Sequence, residues 1–180
     1  SPLAKRIAKD AGIDLAATLT DRGAGRAEPL RTAMRVAGLK APEGESWGDL
    51  FARTLAERIE PRLGQGRLTL LHEYPACEAA LARRTPHDPR FAERFELYAC
   101  GVELANGFGE LTDPVEQRAR FEADMAEKQA RYGERWRIDE DFLAALAHMP
   151  PASGVALGLD RLVMLAAGAT RIDQVIWTPL

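Results

Sequence analysis

The pattern of apolar and polar positions predicts helices at the start of the chain, short strands in the middle, and helices again after residue 113. Residues 3–11 read as a short helix, and Gly23 to Arg26 as a glycine-broken loop. A second helix is expected from about Pro29 to Gly38, since proline favours a first turn and glycine the position just past a last one. Both helices are expected to pack at the periphery, which sets residues 1–44 apart from a main unit at 45–180. After an Ala41-Pro42-Glu43-Gly44 linker, Ser46 and Asp49 have capping-box spacing. The helix they open carries Trp47, Leu50, Phe51, Leu55 and Ile59 on one face and stops at Pro61.

Arg67 to His72 reads as a strand, with Leu68, Leu70 and Leu71 as its apolar members. Glu73-Tyr74-Pro75 is expected to turn the chain into a short helix over Ala76 to Arg83, and Thr85 to Pro89 is a polar loop. Glu96 to Glu110 follows, with Leu97 and Tyr98 before a small Ala99-Cys100-Gly101 corner and Val102 and Leu104 after it. This predicts a hairpin. With Ala99 and Cys100 as the loop, Leu97 faces Val102 and Glu96 faces Glu103. Asp113, Pro114 and Glu116 fit N-cap, N1 and N3 of a helix running to Tyr132, where Val115, Phe121, Met125 and Tyr132 supply an apolar stripe. Another helix is expected over Asp139 to Ala147. Ser153 to Leu159 alternates small with apolar residues, as a strand does, and Arg161 stands where that strand passes into a helix. Strands near 67–72, 94–99, 102–107 and 153–159 imply an antiparallel sheet flanked by helices, an α/β (α+β) fold.

Composition narrows the class. One hundred and eighty residues, 46% of them hydrophobic, suffice for a domain with a real core. A net charge of -3 leaves no electrostatic footprint for nucleic acid, so the charged face of the 114–132 helix reads as solvated. Cys77 and Cys100 have neither disulfide-framework nor metal-ligand spacing, which suits a reduced cytoplasmic protein. No apolar run is long enough to span a membrane and the first residues form no signal peptide, so a soluble protein is expected. The chain opens on Ser1 rather than methionine, as a processed or excised piece would.

The chemistry concentrates in two stretches. Two carboxylates paired across a hairpin, with Cβ atoms about 5 Å apart, repel unless a proton or cation intervenes. A hard ion such as Mg²⁺, which uses one or two carboxylates plus substrate phosphates, suits Glu96 and Glu103. Asn106-Gly107-Phe108-Gly109 permits irregular backbone and delivers Glu110, which with Asn106 suits a cationic substrate group. A surface hairpin with solvated acids has the same spacing. In the second stretch, Gly154, Ala156 and Gly158 leave one strand face bare enough for a flat ligand, and the Arg161 guanidinium suits stacking on a ring and pairing with phosphate. A tightly packed strand with a surface arginine accounts for it equally well; the stretch is neither a P-loop nor a Rossmann fingerprint.

Glu-Arg-Phe-Glu-Leu-Tyr at 93–98, Val-Glu-Leu-Ala-Asn-Gly-Phe-Gly-Glu-Leu-Thr-Asp at 102–113 and Gly154 to Leu165 together resemble the C-terminal part of a class II lysyl-tRNA synthetase catalytic domain. The last stretch is similar to motif 3 of that class. Ser153-Gly154-Val155-Ala156-Leu157-Gly158 and His72-Glu73-Tyr74-Pro75-Ala76 are most like the truncated paralogues that attach a lysyl or β-lysyl group to elongation factor P. The resemblance covers residues 45–180 strongly and 1–44 weakly. It implies that Glu96 and Glu103 hold Mg²⁺ against the phosphates of ATP and that Asn106 and Glu110 bind the lysine substrate, Glu110 taking its side-chain ammonium. It implies that Arg161 contacts the terminal phosphate and covers adenine, and that Gly154, Ala156 and Gly158 form the floor. The methyl of Ala156, where synthetases usually have glycine, is expected to shift preference from α- to β-lysine. The implied acceptor is a lysine of elongation factor P; tRNA is the alternative, and a non-catalytic synthetase-like module a third reading. Motif 1, which builds the dimer interface, and motif 2 are not found. A homodimeric intact protein is therefore expected to be active and this stretch alone to be inactive.

Overall fold

The computed structural model of the protein describes residues 1–178. Helix α1 (Pro2–Ala11) starts where the Ser1 hydroxyl accepts a hydrogen bond from the Ala4 amide and ends at left-handed Gly12, burying Leu3 and Ile7. Helix α2 (Ala27–Val36) buries Leu30 and Met34. Helix α3 (Trp47–Thr54) opens with the expected capping box of Ser46 and Asp49. It does not stop cleanly at Pro61. A π-helical turn, Leu55–Ile59, and a 3₁₀ turn, Glu60–Arg62, carry the chain on, with Leu55 and Ile59 buried. Trp47 stacks on Phe51 at 5.1 Å between ring centroids, and Phe51 meets Tyr74 edge-on at 6.3 Å.

These helices share one core with the sheet. Leu3, Ile7, Leu30 and Met34 belong to the same buried cluster as Leu50, Ile59, Leu71, Tyr74 and Tyr98. Helix α1 packs on β1 and α2 on α3, so the apolar faces of both add to the same core.

Strands β1 (Thr69–Pro75), β2 (Phe91–Ala99), β3 (Val102–Gly109) and β4 (Ser153–Leu157) form one sheet in the order β1-β2-β3-β4, every pair antiparallel. Glu73-Tyr74-Pro75 was expected to turn. It instead remains in β1, with a bulge at Glu73, whose φ of 61° absorbs the extra residue. The expected helix over Ala76 to Arg83 shrinks to a single 3₁₀ turn, Ala76–Glu78. Its remaining backbone pairs with the chain around the end of β3: the Arg83 amide donates to the Gly109 carbonyl at 2.8 Å, and the Leu111 amide to the Leu81 carbonyl at 2.9 Å. An isolated helix this short is marginal, and the sheet supplies better partners.

The hairpin between β2 and β3 turns one residue later than expected. Cys100 and Gly101 have φ of 51° and 76°, the paired positive values of a type I′ turn, whose second position suits glycine. The tip is tied down by the Cys100 amide on the Gly64 carbonyl and the Gly101 amide on the Leu63 carbonyl. A Cβ at Gly64, itself at φ 70°, would lie 2.4 Å from the Ala99 Cα, so glycine is needed for this close approach.

Helix α4 (Pro114–Tyr132) follows its Asp113 cap as expected, but Val115 and Tyr132 are exposed and no apolar stripe is buried. It is held by polar contacts and one aromatic pair. Arg120 donates to the Ala80 and Ala82 carbonyls, and Phe121 packs on Phe142 of α5 (Glu140–Leu146). Strand β4 ends two residues short of the expected Leu159, and α6 (Leu159–Ala166) begins there with Arg161 in its first turn.

Candidate active site

Antiparallel register sets which side chains share a face. The shifted turn pairs Ala99 with Val102 and Tyr98 with Glu103; a bulge at Leu104 then pairs Leu97 with Ala105 and Glu96 with Asn106. Glu96 and Glu103 are therefore not opposite one another, contrary to the expected register. The bulge has its own use. Glu103 and Asn106 are three apart and would face opposite ways on a regular strand, but the extra residue returns both to the Glu96 face. The carbonyl of Leu104 accepts the Gly158 amide at 2.8 Å and anchors the turn into α6.

Two rows cross this face. Leu71, Glu96, Asn106 and Ala156 lie in one; Arg94, Phe108 and Gly154 lie in the next. Glu110 stands beyond the second row, its amide donating to the Ala152 carbonyl at 3.0 Å.

Glu96 is buried and its oxygens are heavily used. The Tyr74 and Tyr98 hydroxyls donate to Oε2 at 2.5 and 2.6 Å, and Arg94 donates to Oε1 at 2.8 Å. Arg94 also donates to the Glu78 carbonyl at 2.6 Å and to Asn106 Oδ1 at 3.4 Å, and lies over the Tyr74 ring at 4.6 Å. Burial, reinforced by the negative Glu96, pushes both tyrosines above their ordinary pKa, so they remain donors. Glu60 on the 3₁₀ turn is held above the usual carboxylate range by burial and by the charges of Glu96 and Glu103.

Arg161 donates to the Glu103 carbonyl at 2.9 Å and pairs with its carboxylate at 3.2 Å. The pair is half exposed, so solvent weakens it and leaves the guanidinium available. Glu110 has no hydrogen-bonding or ionic partner for its carboxylate among the described residues. A Cβ built on Gly154 would lie 2.6 Å from Glu110 Oε1, which places that carboxylate directly over β4. Ala156 and Gly158 are exposed on the same open edge.

Of the residues singled out in the sequence, Glu96, Asn106, Glu110, Gly154 and Ala156 share one face, with Glu103 and Arg161 paired at its end. Arg94, Tyr74, Tyr98 and Glu60 were not singled out. The alternation of Arg94, Glu96 and Tyr98 on one strand was a readable signal; the approach of Tyr74 and Glu60 was not. A cavity of about 470 Å³ beside Arg94 is lined by Glu78, Arg120, Asp124 and Glu127. A larger one of about 660 Å³, among Leu70, His72 and Phe95, lies on the opposite face and contains none of the expected residues. Among the described residues no three His, Cys, Asp or Glu side chains are grouped to hold a metal unaided. Two carboxylates suffice for Mg²⁺ when phosphates and water complete its shell. Glu103, paired with Arg161, and Glu96 Oε1, which already accepts from Arg94, would be the two carboxylates such an ion could use.

Residues 30–180 match the family of class II tRNA synthetases for D, K and N. The chain is 46% identical over 154 residues to a lysine–tRNA ligase of Dehalococcoides mccartyi, covering 84% of the chain and 30% of that protein. It is 54% identical over 119 residues to an elongation factor P–(R)-β-lysine ligase of Klebsiella pneumoniae, covering 66% of the chain and 37% of the relative. A ligase of the same description from Haemophilus influenzae is 47% identical over 148 residues, covering 82% of the chain and 46% of that protein. The chain thus spans between about a third and a half of the length of the curated relatives it matches. With an antiparallel sheet, a β4 that carries Gly154 and runs through Gly158 into α6, and a family match over most of its length, the chain belongs to the class II tRNA synthetases.

Proposed function

We propose that the intact protein carrying this chain activates lysine or β-lysine with ATP and passes the acyl group to a lysine of elongation factor P. The observation that carries this reading is the unpartnered Glu110 carboxylate, held over Gly154 of the edge strand β4. A primary ammonium offers three donors to that carboxylate, and Asn106 stands on the same sheet face, two rows nearer Glu96. Arg161, released from its exposed pair with Glu103, reaches an ATP phosphate and stacks on the adenine. Mg²⁺, when bound by Glu103 and Glu96, supplies charge neutralisation at the phosphates.

In the first step a substrate carboxylate oxygen attacks the α-phosphorus of ATP and pyrophosphate leaves with the electrons of the broken P–O bond. In the second the acceptor amine attacks the acyl carbon, AMP leaves and the amine loses a proton. Neither step requires a nucleophilic side chain; positioning and charge stabilisation supply the catalysis. Buried Glu96, fixed by three donors, keeps the β2 end of the site rigid. The resemblance to paralogues through Ala156, and the absence of net positive charge, favour a protein acceptor. The lysine–tRNA ligase relative supports tRNA as a second reading. This stretch by itself is expected to be inactive, and the intact protein to act as a homodimer in the cytoplasm.

The test is ATP–pyrophosphate exchange by the intact protein, with lysine and β-lysine offered separately and this chain as a parallel sample. Exchange by the intact protein with silence from the chain is expected. No exchange with either amino acid would shift the reading to a non-catalytic binding module, and charging of tRNA in place of elongation factor P would establish the second reading.

A further inference from the structure

The small residues of β4 do not all do the same thing. A Cβ at Gly158 would meet the Arg161 Cδ and the Leu104 carbonyl oxygen at 3.5 Å, an ordinary contact. Position 156 already carries a methyl. At Gly154 the same atom would stand 2.6 Å from Glu110 Oε1 and 3.8 Å from its Cδ, too close to be accommodated without movement.

The carboxylate, rather than the backbone, must make that movement. The Glu110 amide is tied to the Ala152 carbonyl on one side. On the other side Glu110 forms a bridge with Ala82, and the next amide, Leu111, donates to Leu81 at 2.9 Å. Both lateral neighbours are alanines, which offer the carboxylate neither a donor nor a steric wall. The vacancy at Gly154, diagonal across the ladder, is where the carboxylate comes to rest.

We infer that Gly154 is a positioning residue: the space its missing side chain leaves is occupied by the Glu110 carboxylate, which β4 thereby aims at the substrate's cationic group. This rests on the proposed role of Glu110 and deepens it. Gly154 then acts on amino-acid recognition through Glu110, instead of serving as a floor beneath the ligand.

Two measurements decide the matter. The first needs no activity: in this chain, nuclear Overhauser contacts between the Glu110 γ protons and the Gly154 α protons are expected, and their absence overturns the inference. The second is a double-variant cycle in the intact protein with Gly154→Ala and Glu110→Asp, read by exchange kinetics. Gly154→Ala is expected to raise the amino-acid KM about tenfold or more and to leave the ATP KM within about twofold, as small misplacements of a binding group do. Since the shorter aspartate withdraws from the new methyl, the double variant should lose far less than the product of the two single losses. Multiplicative losses, or an ATP KM rising in parallel, would return Gly154 to a general floor. If the unaltered protein exchanges with neither amino acid, the lysine-ligase reading falls by itself, while the proton contacts still decide whether Gly154 aims Glu110.

Discussion

Glu96 and Glu110 are both glutamates on one face of one sheet, and their surroundings differ completely. Glu96 lies where α1, α3 and the π turn close over β1 and β2; it is buried, and three donors from Tyr74, Tyr98 and Arg94 occupy it. Glu110 lies past the end of β3, half-buried, flanked by alanines and resting over a glycine. A carboxylate that accepts from three protein donors holds the structure together and keeps little beyond one oxygen for the proposed ion. One that the protein leaves unsatisfied at the edge of a recess is suited to take its partner from outside.

The sharpest way to break this contrast is to truncate each acid in turn. Glu96→Ala would strand Arg94 and two tyrosine hydroxyls in the interior, and is expected to cost about 3–5 kcal/mol in urea unfolding. A loss below about 1 kcal/mol would mean that the network is not closed. Glu110→Gln should have the reverse profile. It is expected to weaken amino-acid use by about 10- to 100-fold, the range for a hydrogen-bonded charge, with much less change in ATP use and unfolding within about 0.5 kcal/mol of the unaltered protein. Equal losses towards both substrates would remove Glu110 from amino-acid recognition.

Smaller changes sharpen the comparison. Tyr98→Phe removes one of the two hydroxyl donors to Glu96 Oε2 and leaves the other, so a loss of about 1–2 kcal/mol is expected. Glu60 gives the smallest effect. Its carboxyl is held above the ordinary range in the folded state by burial and by Glu96 and Glu103, so the folded protein binds its proton more tightly than the unfolded chain does. Its contribution therefore falls as pH rises from the unfolded value through the folded one. Glu60→Gln should flatten that part of the stability profile and give a slight gain at neutral pH; a steeper profile would show that Glu60 is stabilised as the anion.

Much of this architecture was legible one segment at a time. The Ser46 and Asp49 capping box, the Asp113 cap with Pro114, the hairpin corner and the passage from a small-residue strand into the Arg161 helix are set by residues within a few positions of one another. The resemblance to class II synthetases rested on such local stretches as well. Errors arose wherever a distant partner competed. Ala76 to Arg83 has a helical composition, but the end of β3 offered its backbone better hydrogen bonds. Val115 and Tyr132 fit a helical stripe, but polar anchors at Arg120 set the orientation of α4.

The face carrying the site was decided almost entirely by tertiary structure. Side chains alternate with a period of two along a strand, so moving the turn by one residue and adding the bulge at Leu104 gave Glu96 and Glu103 different partners across the hairpin. From the sequence the chemistry of these acids and their order on two strands could be read. Whether an acid is enclosed by donors, as Glu96 is, or left open over a glycine, as Glu110 is, depends on which distant elements pack above it, and local periodicity carries no record of that.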